Sequence, residues 1–185
     1  LAGVSDDAEH EESIYLIGRN RAMWLGINLI TAVLASLVIG LFDATIQSFV
    51  ALAVLMPIVA SMGGNAGTQT LTVTVRQMAL GEIDYQDAKK IIYKEVMISV
   101  VNGLLFAAVI GVVAYLWFNI PLLGVVIAIS MIINLFSAGF FGAVIPIVLQ
   151  KKGIDPAIGS TVILTTVTDV VGFFSFLGLA TLILL

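Results

Sequence analysis

Cysteine is absent from the 185 residues, and His10 is the single histidine. The first absence excludes a disulfide framework and thiolate metal sites. The second excludes a histidine-ligated metal centre or haem. Charge is scarce as well. Asp, Glu, Lys and Arg make up 11% of the chain, against about 25% in a soluble domain. The one glycine-rich stretch, GGNAG, is not followed by Gly-Lys-Ser/Thr, so it is no phosphate loop, and no TVGYG-type potassium filter occurs. No nucleophile–base pair or metal-ligand cluster stands out, which argues against an enzyme working inside the membrane. The net charge of −4 is modest, and no nucleic-acid partner is expected.

What the chain has in excess is apolar surface. It is 60% hydrophobic, with a mean hydropathy of +1.13. A core of this size cannot hide so much, which makes the chain an all-α integral membrane protein with the lipid bilayer as its solvent. A span takes about 20 residues, so five nearly exhaust the length. The apolar runs cover about 22–42, 46–75, 96–118, 122–149 and 157–185. The second is long for a bilayer and contains Pro57, so it must tilt, break or extend beyond the lipid. Residues 76–95 form the one substantial hydrophilic connection, FNIPLL a short turn, and QKKGIDPA a tight one.

Residues 1–21 read as a cytosolic N-terminal segment and 22–185 as a five-helix transmembrane domain. The start (LAGVSDDAEHEESIYLIG) has no initiator Met, no basic n-region and no small-residue cleavage site. It is no signal peptide and reads as the interior of a longer chain.

Orientation follows from eight basic residues: Arg19, Arg21, Arg76, Lys89, Lys90, Lys94, Lys151 and Lys152. All fall before span 1, between spans 2 and 3, or between spans 4 and 5. With five spans these segments share one side, which the positive-inside rule makes cytoplasmic. The expected topology is a multi-pass plasma-membrane protein, N-terminus inside and C-terminus outside.

Ionisable residues at membrane depth are rare and usually functional. Asp169, in the middle of span 5, is the clear instance, with Thr161, Thr165, Thr168 and Gly172 at helical spacing. Asp169 could be a protonated group that joins two helices, but an acid within a polar face points to a hydrated path. In span 2, Gly63, Gly64 and Gly67 surround Asn65, and Asn65, Gln69, Thr72 and Arg76 share a face. Loosened backbone at this depth must face protein or water. Small-residue packing is the competing reading. Gly103, Ala107 and Gly111 at a spacing of four read as packing. Asn28, Thr31, Asn102, Ser130 and Asn134 read as interhelical hydrogen bonds. Asp43 stands at the outer mouth and caps span 2 or concentrates cations there. Glu82, Asp84, Asp87 and Glu95, interleaved with lysines, read as a solvated face, and Arg76 as an interfacial anchor.

Asp with Thr, Asn and Gln offers oxygen alone, which suits hard cations such as Mg²⁺, Ca²⁺ or Mn²⁺. One carboxylate cannot strip a divalent ion, but it can hold a hydrated one through its waters. Two copies on a twofold axis would set two charges against +2, and five helices alone enclose little, so a homodimer is expected. Entry of a divalent cation down the membrane potential gains about 4.6 kcal/mol per 100 mV, twice the single-charge value. Three functions compete: divalent-cation channel or transporter, proton-coupled cation transporter protonated at Asp169, and non-transporting scaffold.

PIVASMGGNAGTQTLTVTVRQMALGEID (57–84), GIDPA (153–157) and the TxxTDVVG stretch (165–172) closely resemble signatures of the MgtE family of magnesium channels, and LAGVSDD resembles the junction after that family's connecting helix. The resemblance runs nearly the whole chain. It implies a homodimer with five transmembrane helices per subunit and a central pore lined by spans 2 and 5. It implies Mg²⁺ as the bound and transported ion, held hydrated by Asp169. Gly63, Gly64, Asn65, Gly67, Gln69, Thr72, Thr165, Thr168 and Gly172 are then pore-lining candidates, with Asp43 at the outer mouth. Relatives can carry a second acid there, where this chain has Gln47. The resemblance also implies Mg²⁺-sensing cytosolic domains in full-length members.

Overall fold

The computed structural model describes residues 14–81, 88–154, 156 and 159–185. The described residues form α1 (Ile14–Gly40), α2 (Asp43–Ser48), α3 (Ala51–Ala79), α4 (Ala88–Phe118), α5 (Pro121–Lys151) and α6 (Ser160–Leu184). All but α2 are long and apolar enough to cross a membrane. The described residues therefore hold five candidate spans, the number that the runs of apolar residues require.

Three boundaries differ from expectation. The helix of the first run begins at Ile14, so Arg19 and Arg21 ride on it. The second run is broken: α2 is a separate short helix, and the chain turns through Phe49 (φ −136°, ψ 83°) before α3. Asp43 opens α2 and does not cap α3. The hydrophilic stretch 76–95 is mostly helical, because α3 runs on to Ala79 and α4 starts at Ala88. Glu82, Asp84 and Asp87 lie outside the described residues, as do residues 1–13 and parts of QKKGIDPA.

The α4–α5 corner follows local chemistry. Asn119 takes φ +55°, a left-handed conformation in which Asn is among the few tolerated residues. Ile120 is extended before proline, and Pro121 opens α5 at its first turn, where a missing N–H costs nothing.

Helix α5 is the centre, packed on α3, α4 and α6. At one end of the molecule Leu52, Leu55 and Val59 of α3 meet Leu123, Val126 and Ile127 of α5 and Phe176 and Leu177 of α6. Small residues bring backbones close. A Cβ at Gly111 would lie 3.1 Å from Gly124 O, and one at Gly103 would lie 3.5 Å from Ile132 Cα. Ala107 beside them is buried. The Gly103–Ala107–Gly111 row is thus a packing seam. Helix α1 leans on α6 and is buried at Ala35 alone. It presents apolar side chains outward, as a lipid-facing helix should.

Contact pairs fix the directions. Trp24 lies against Gly159 and Phe42 near Gly178, so α1 and α6 run parallel. Gly63 meets Asn134 and Gly67 meets Gly142, so α3 and α5 are parallel too. Gly67 against Leu164 and Val59 against Gly172 make α3 and α6 antiparallel. Gly139 meets Ser99 while Gly111 meets Gly124, which sets α4 against α5 in opposite directions. The chain therefore alternates across the bundle. The start of α1, the end of α3, the start of α4 and the end of α5 share one end, and with them all eight basic residues.

Candidate functional site

Helix α3 has two unlike faces. Leu52, Leu55, Val59, Gly63, Gly67, Thr70, Leu71, Thr74 and Met78 are buried against the rest of the subunit. The opposite face is exposed along its whole length at Val54, Pro57, Ser61, Asn65, Thr68, Gln69, Thr72 and Arg76. Steps of three and four make this a single stripe, and five of its members between Ser61 and Thr72 carry polar side chains. Pro57 adds to it: a proline inside a helix lacks the N–H that would bond the carbonyl four residues earlier, here Ala53.

The hydrogen bonds along this stripe leave oxygens outward. Asn65 Nδ2 donates to Ser61 Oγ at 3.2 Å, so its Oδ1 is the free end of the amide. Thr68 Oγ1 donates to Gly64 O at 2.8 Å. The hydroxyl protons on α6 are tied down likewise: Thr165 Oγ1 donates to Thr161 O at 3.0 Å and Thr166 Oγ1 to Val162 O at 2.6 Å. Hydroxyls bonded back to the helix present lone pairs, so Thr68, Thr165 and Thr166 offer acceptors at these positions.

On α6, Ser160, Leu164, Thr168 and Gly172 point into the subunit. Asp169 stands next to that row and is half-buried, as are Thr165 and Thr166. The pairs Val59–Gly172 and Gly67–Leu164 place Thr168 level with Gly63, and Asp169 beside it. Asn65 then lies roughly 3–5 Å farther along α3, at about 1.5 Å of rise per residue. Among the described residues no three Asp, Glu or His side chains gather around one point. Asp169 is the acid of this region.

The structure divides the sequence candidates into two sets. Asn65, Gln69, Thr72 and, on the flank, Gly64 lie toward the open face of α3; a Cβ at Gly64 would meet nothing within 4 Å. Gly63, Gly67, Thr168 and Gly172 lie inside the subunit. A Cβ at Gly63 would collide with Asn134 Nδ2, one at Gly67 would stand 3.1 Å from Leu164, and one at Gly172 2.8 Å from Asn134 Nδ2. These four build the wall from behind. Ser61 and Thr166 belong to the acceptor rows and were not singled out by sequence, although their spacing from Asn65 and Asp169 was visible there.

Other polar residues are corrected or located. Asn134 does bond between helices, to Val59 O at 2.8 Å. Ser130 bonds Val126 O and Thr31 bonds Asn28 O, both within their own helices. Asn102 is exposed on α4. Glu95 is not on a solvated face: it is 7% exposed, at a turn of α4 pressed onto Gly139 of α5. Lys89, Lys90 and Lys94 around it are exposed. At the opposite end, Asp43 accepts from Gln47 Nε2 at 2.7 Å, so the two positions form one polar group on α2. Thr45 bonds Thr181 at 2.8 Å and pins α2 to the end of α6.

Five apolar helices in alternating directions, one half-buried carboxylate and an acceptor-lined helix face define a multi-pass helical membrane protein. Residues 56–179 match the family model MgtE, described as a divalent cation transporter. The chain belongs to the MgtE family, a family of transporters and not of enzymes. It is 32% identical over 181 residues to the magnesium transporter MgtE of Bacillus subtilis (strain 168), covering 98% of this chain and 40% of that protein. It is 31% identical over 164 residues to the protein of the same name from Thermus thermophilus, covering 89% of this chain and 36% of that one. The magnesium transporter MgtE of Enterococcus faecalis is 30% identical over 183 residues, covering 98% and 40% respectively. The chain thus spans about 40% of the length of the curated relatives it matches.

Proposed function

We propose that this chain forms the membrane pore of a magnesium transporter, a homodimer that passes hydrated Mg²⁺ along the open face of α3 and past Asp169. One observation carries the reading. A helix of the bundle exposes Ser61, Asn65, Thr68, Gln69 and Thr72 in one stripe. Each unsatisfied polar group facing hydrocarbon costs several kcal/mol on order of magnitude. That face must therefore meet water or protein, and a second copy of the chain with water between supplies both.

The chemistry of the stripe favours a cation that keeps its waters. Water bound to a metal points its hydrogens outward and needs acceptors. Asn65 Oδ1 and the Thr68, Thr165 and Thr166 oxygens are acceptors whose protons or amide nitrogens are already engaged. Mg²⁺ dehydrates reluctantly and keeps several waters when bound, unlike Ca²⁺. Two Asp169 carboxylates across a twofold axis would balance +2. The basic end of the bundle is assigned to the cytoplasm, so Asp43 and Gln47 flank the outer entrance and the C-terminus lies outside. The relatives are named magnesium transporters, and their unmatched length is greater than this chain. That fits a pore domain joined to cytosolic regulatory domains.

Purified protein in liposomes should carry Mg²⁺ inward when the interior is negative, in the absence of a pH gradient. A requirement for a pH gradient would favour the proton-coupled alternative, in which Asp169 takes up a proton in each cycle. Sealed liposomes with no cation flux under either condition would contradict both and leave a scaffold.

A further inference from the structure

Asn134 is a buried polar residue that the proposed path does not use, and it sits where three helices meet. It is fully buried in the middle of α5. Its Nδ2 donates to Val59 O of α3 at 2.8 Å. Its Oδ1 is buried and finds no hydrogen-bond partner among the described residues. The carboxamide occupies the space left by two glycines on different helices. A Cβ at Gly63 of α3 would collide with Nδ2 and come within 2.8 Å of Oδ1, and a Cβ at Gly172 of α6 would come within 2.8 Å of Nδ2.

Each of these neighbours belongs to the candidate path by sequence. Gly63 is two residues from Asn65, and Gly172 is three residues from Asp169. Residues three apart lie nearly over one another on a helix, so the backbone that Asn134 touches is the turn that carries Asp169. Stability alone is a weak reason for an amide here. A side chain bearing a buried unpaired carbonyl is costly, and an apolar residue of similar shape in a close-packed site can be neutral or better. What the amide adds is direction: it bonds one carbonyl of α3 while the same group sets the approach of α6 at Gly172.

We infer that Asn134 is a positioning residue of the ion path. It holds α3 and α6 in one register, so that Asp169 and Asn65 present their oxygens at a fixed separation. This rests on the ion-path reading above. It goes beyond it by assigning control of ion affinity and selectivity to a residue of α5, behind the α3 and α6 rows. Groups that orient a metal ligand without touching the metal change metal affinity by about 10–100-fold when removed.

The test uses the reconstituted protein with three variants: Asn134→Leu, Asn134→Ala, and Asn134→Ala combined with Gly63→Ala. The double variant returns a methyl group to part of the space vacated by the amide, which restores some of the packing without the hydrogen bond. Each is assayed for dimer yield, thermal stability, Mg²⁺ half-saturation of flux, and the ratio of Mg²⁺ to Ca²⁺ flux. The inference expects the double variant to fold and dimerise while its half-saturation rises about tenfold or more and its Mg²⁺/Ca²⁺ ratio falls. Asn134→Leu should behave the same way if it folds. Wild-type half-saturation and selectivity in the double variant would reduce Asn134 to a packing residue and overturn the inference. If both that variant and Asn134→Leu fail to fold while Asn134→Ala folds, Asn134→Ala decides by the same two readouts. Failure of all three to fold would make the role structural and overturn it equally. Failure of the ion-path reading looks different: wild type and Asp169→Asn would then give the same flux.

Discussion

Two adjacent glycines do different work, and their neighbours say which. Gly63 faces Asn134 at a distance no methyl group can share, whereas the Cβ direction at Gly64 is empty. Gly63→Ala should cost about 1–3 kcal/mol, the range for overpacking a filled site. Gly64→Ala should lie within about 0.5 kcal/mol of wild type. Melting of the two variants in detergent checks the pair. Gly64→Leu carries the functional half of the contrast: it should leave dimer yield intact and block Mg²⁺ flux, because the side chain enters the path and not the core. Unchanged flux would return Gly64 to plain packing. Gly159 is constrained twice, by φ +78° and by Trp24, whose ring atoms would lie 2.6 Å from a Cβ. Either constraint alone favours glycine at the start of α6.

At the scale of elements, the long helices were legible because about 20 apolar residues in a row have few other uses. The α4–α5 corner was legible as the short FNIPLL turn, whereas the left-handed Asn119 that sharpens it was not. Asn119→Val should destabilise by about 1–2 kcal/mol, because a β-branched residue lacks the local hydrogen bonding that lets Asn take a left-handed conformation, while Asn119→Gly should be tolerated. Denaturation of both in the same detergent tests this. The break at Phe49 was not legible. Phe49 and Val50 are apolar and carry no Gly or Pro signature, so α2 and α3 read as one run. Glu95 misled for a related reason. Its neighbours in sequence are lysines, but the face it occupies is set by α5, and a charged sequence context does not report which side of a helix a partner covers. The α3 stripe was half legible: Asn65, Gln69, Thr72 and Arg76 showed by period, whereas separating Gly63 and Gly67 from Gly64 required the positions of Asn134 and Leu164.

For the whole molecule, the alternation of directions brings the eight basic residues to one end, as the five-span reading demands. With that end cytoplasmic, Gln47→Cys should label with a membrane-impermeant maleimide from outside and Lys152→Cys from inside. Labelling of both from one face would contradict the topology. Mass measurement in detergent should give two copies per particle. In the sequence the expectation of a dimer rests only on a deficit, one carboxylate for a divalent ion and five helices that alone enclose little. The structure adds the exposed α3 stripe to that deficit, and a partner copy would cover it.

The most direct measurement is Mg²⁺ binding and flux for Asp169→Asn in a folded dimer. Asparagine keeps the size and the hydrogen bonding of the side chain and removes its charge. If the two carboxylates balance the ion, binding and flux should fall steeply, by about tenfold or more for the loss of a charge-assisted contact, while dimer yield and melting stay unchanged. Wild-type binding and flux in Asp169→Asn would contradict the account, because a carboxylate that only joins helices can be replaced by an amide at little cost.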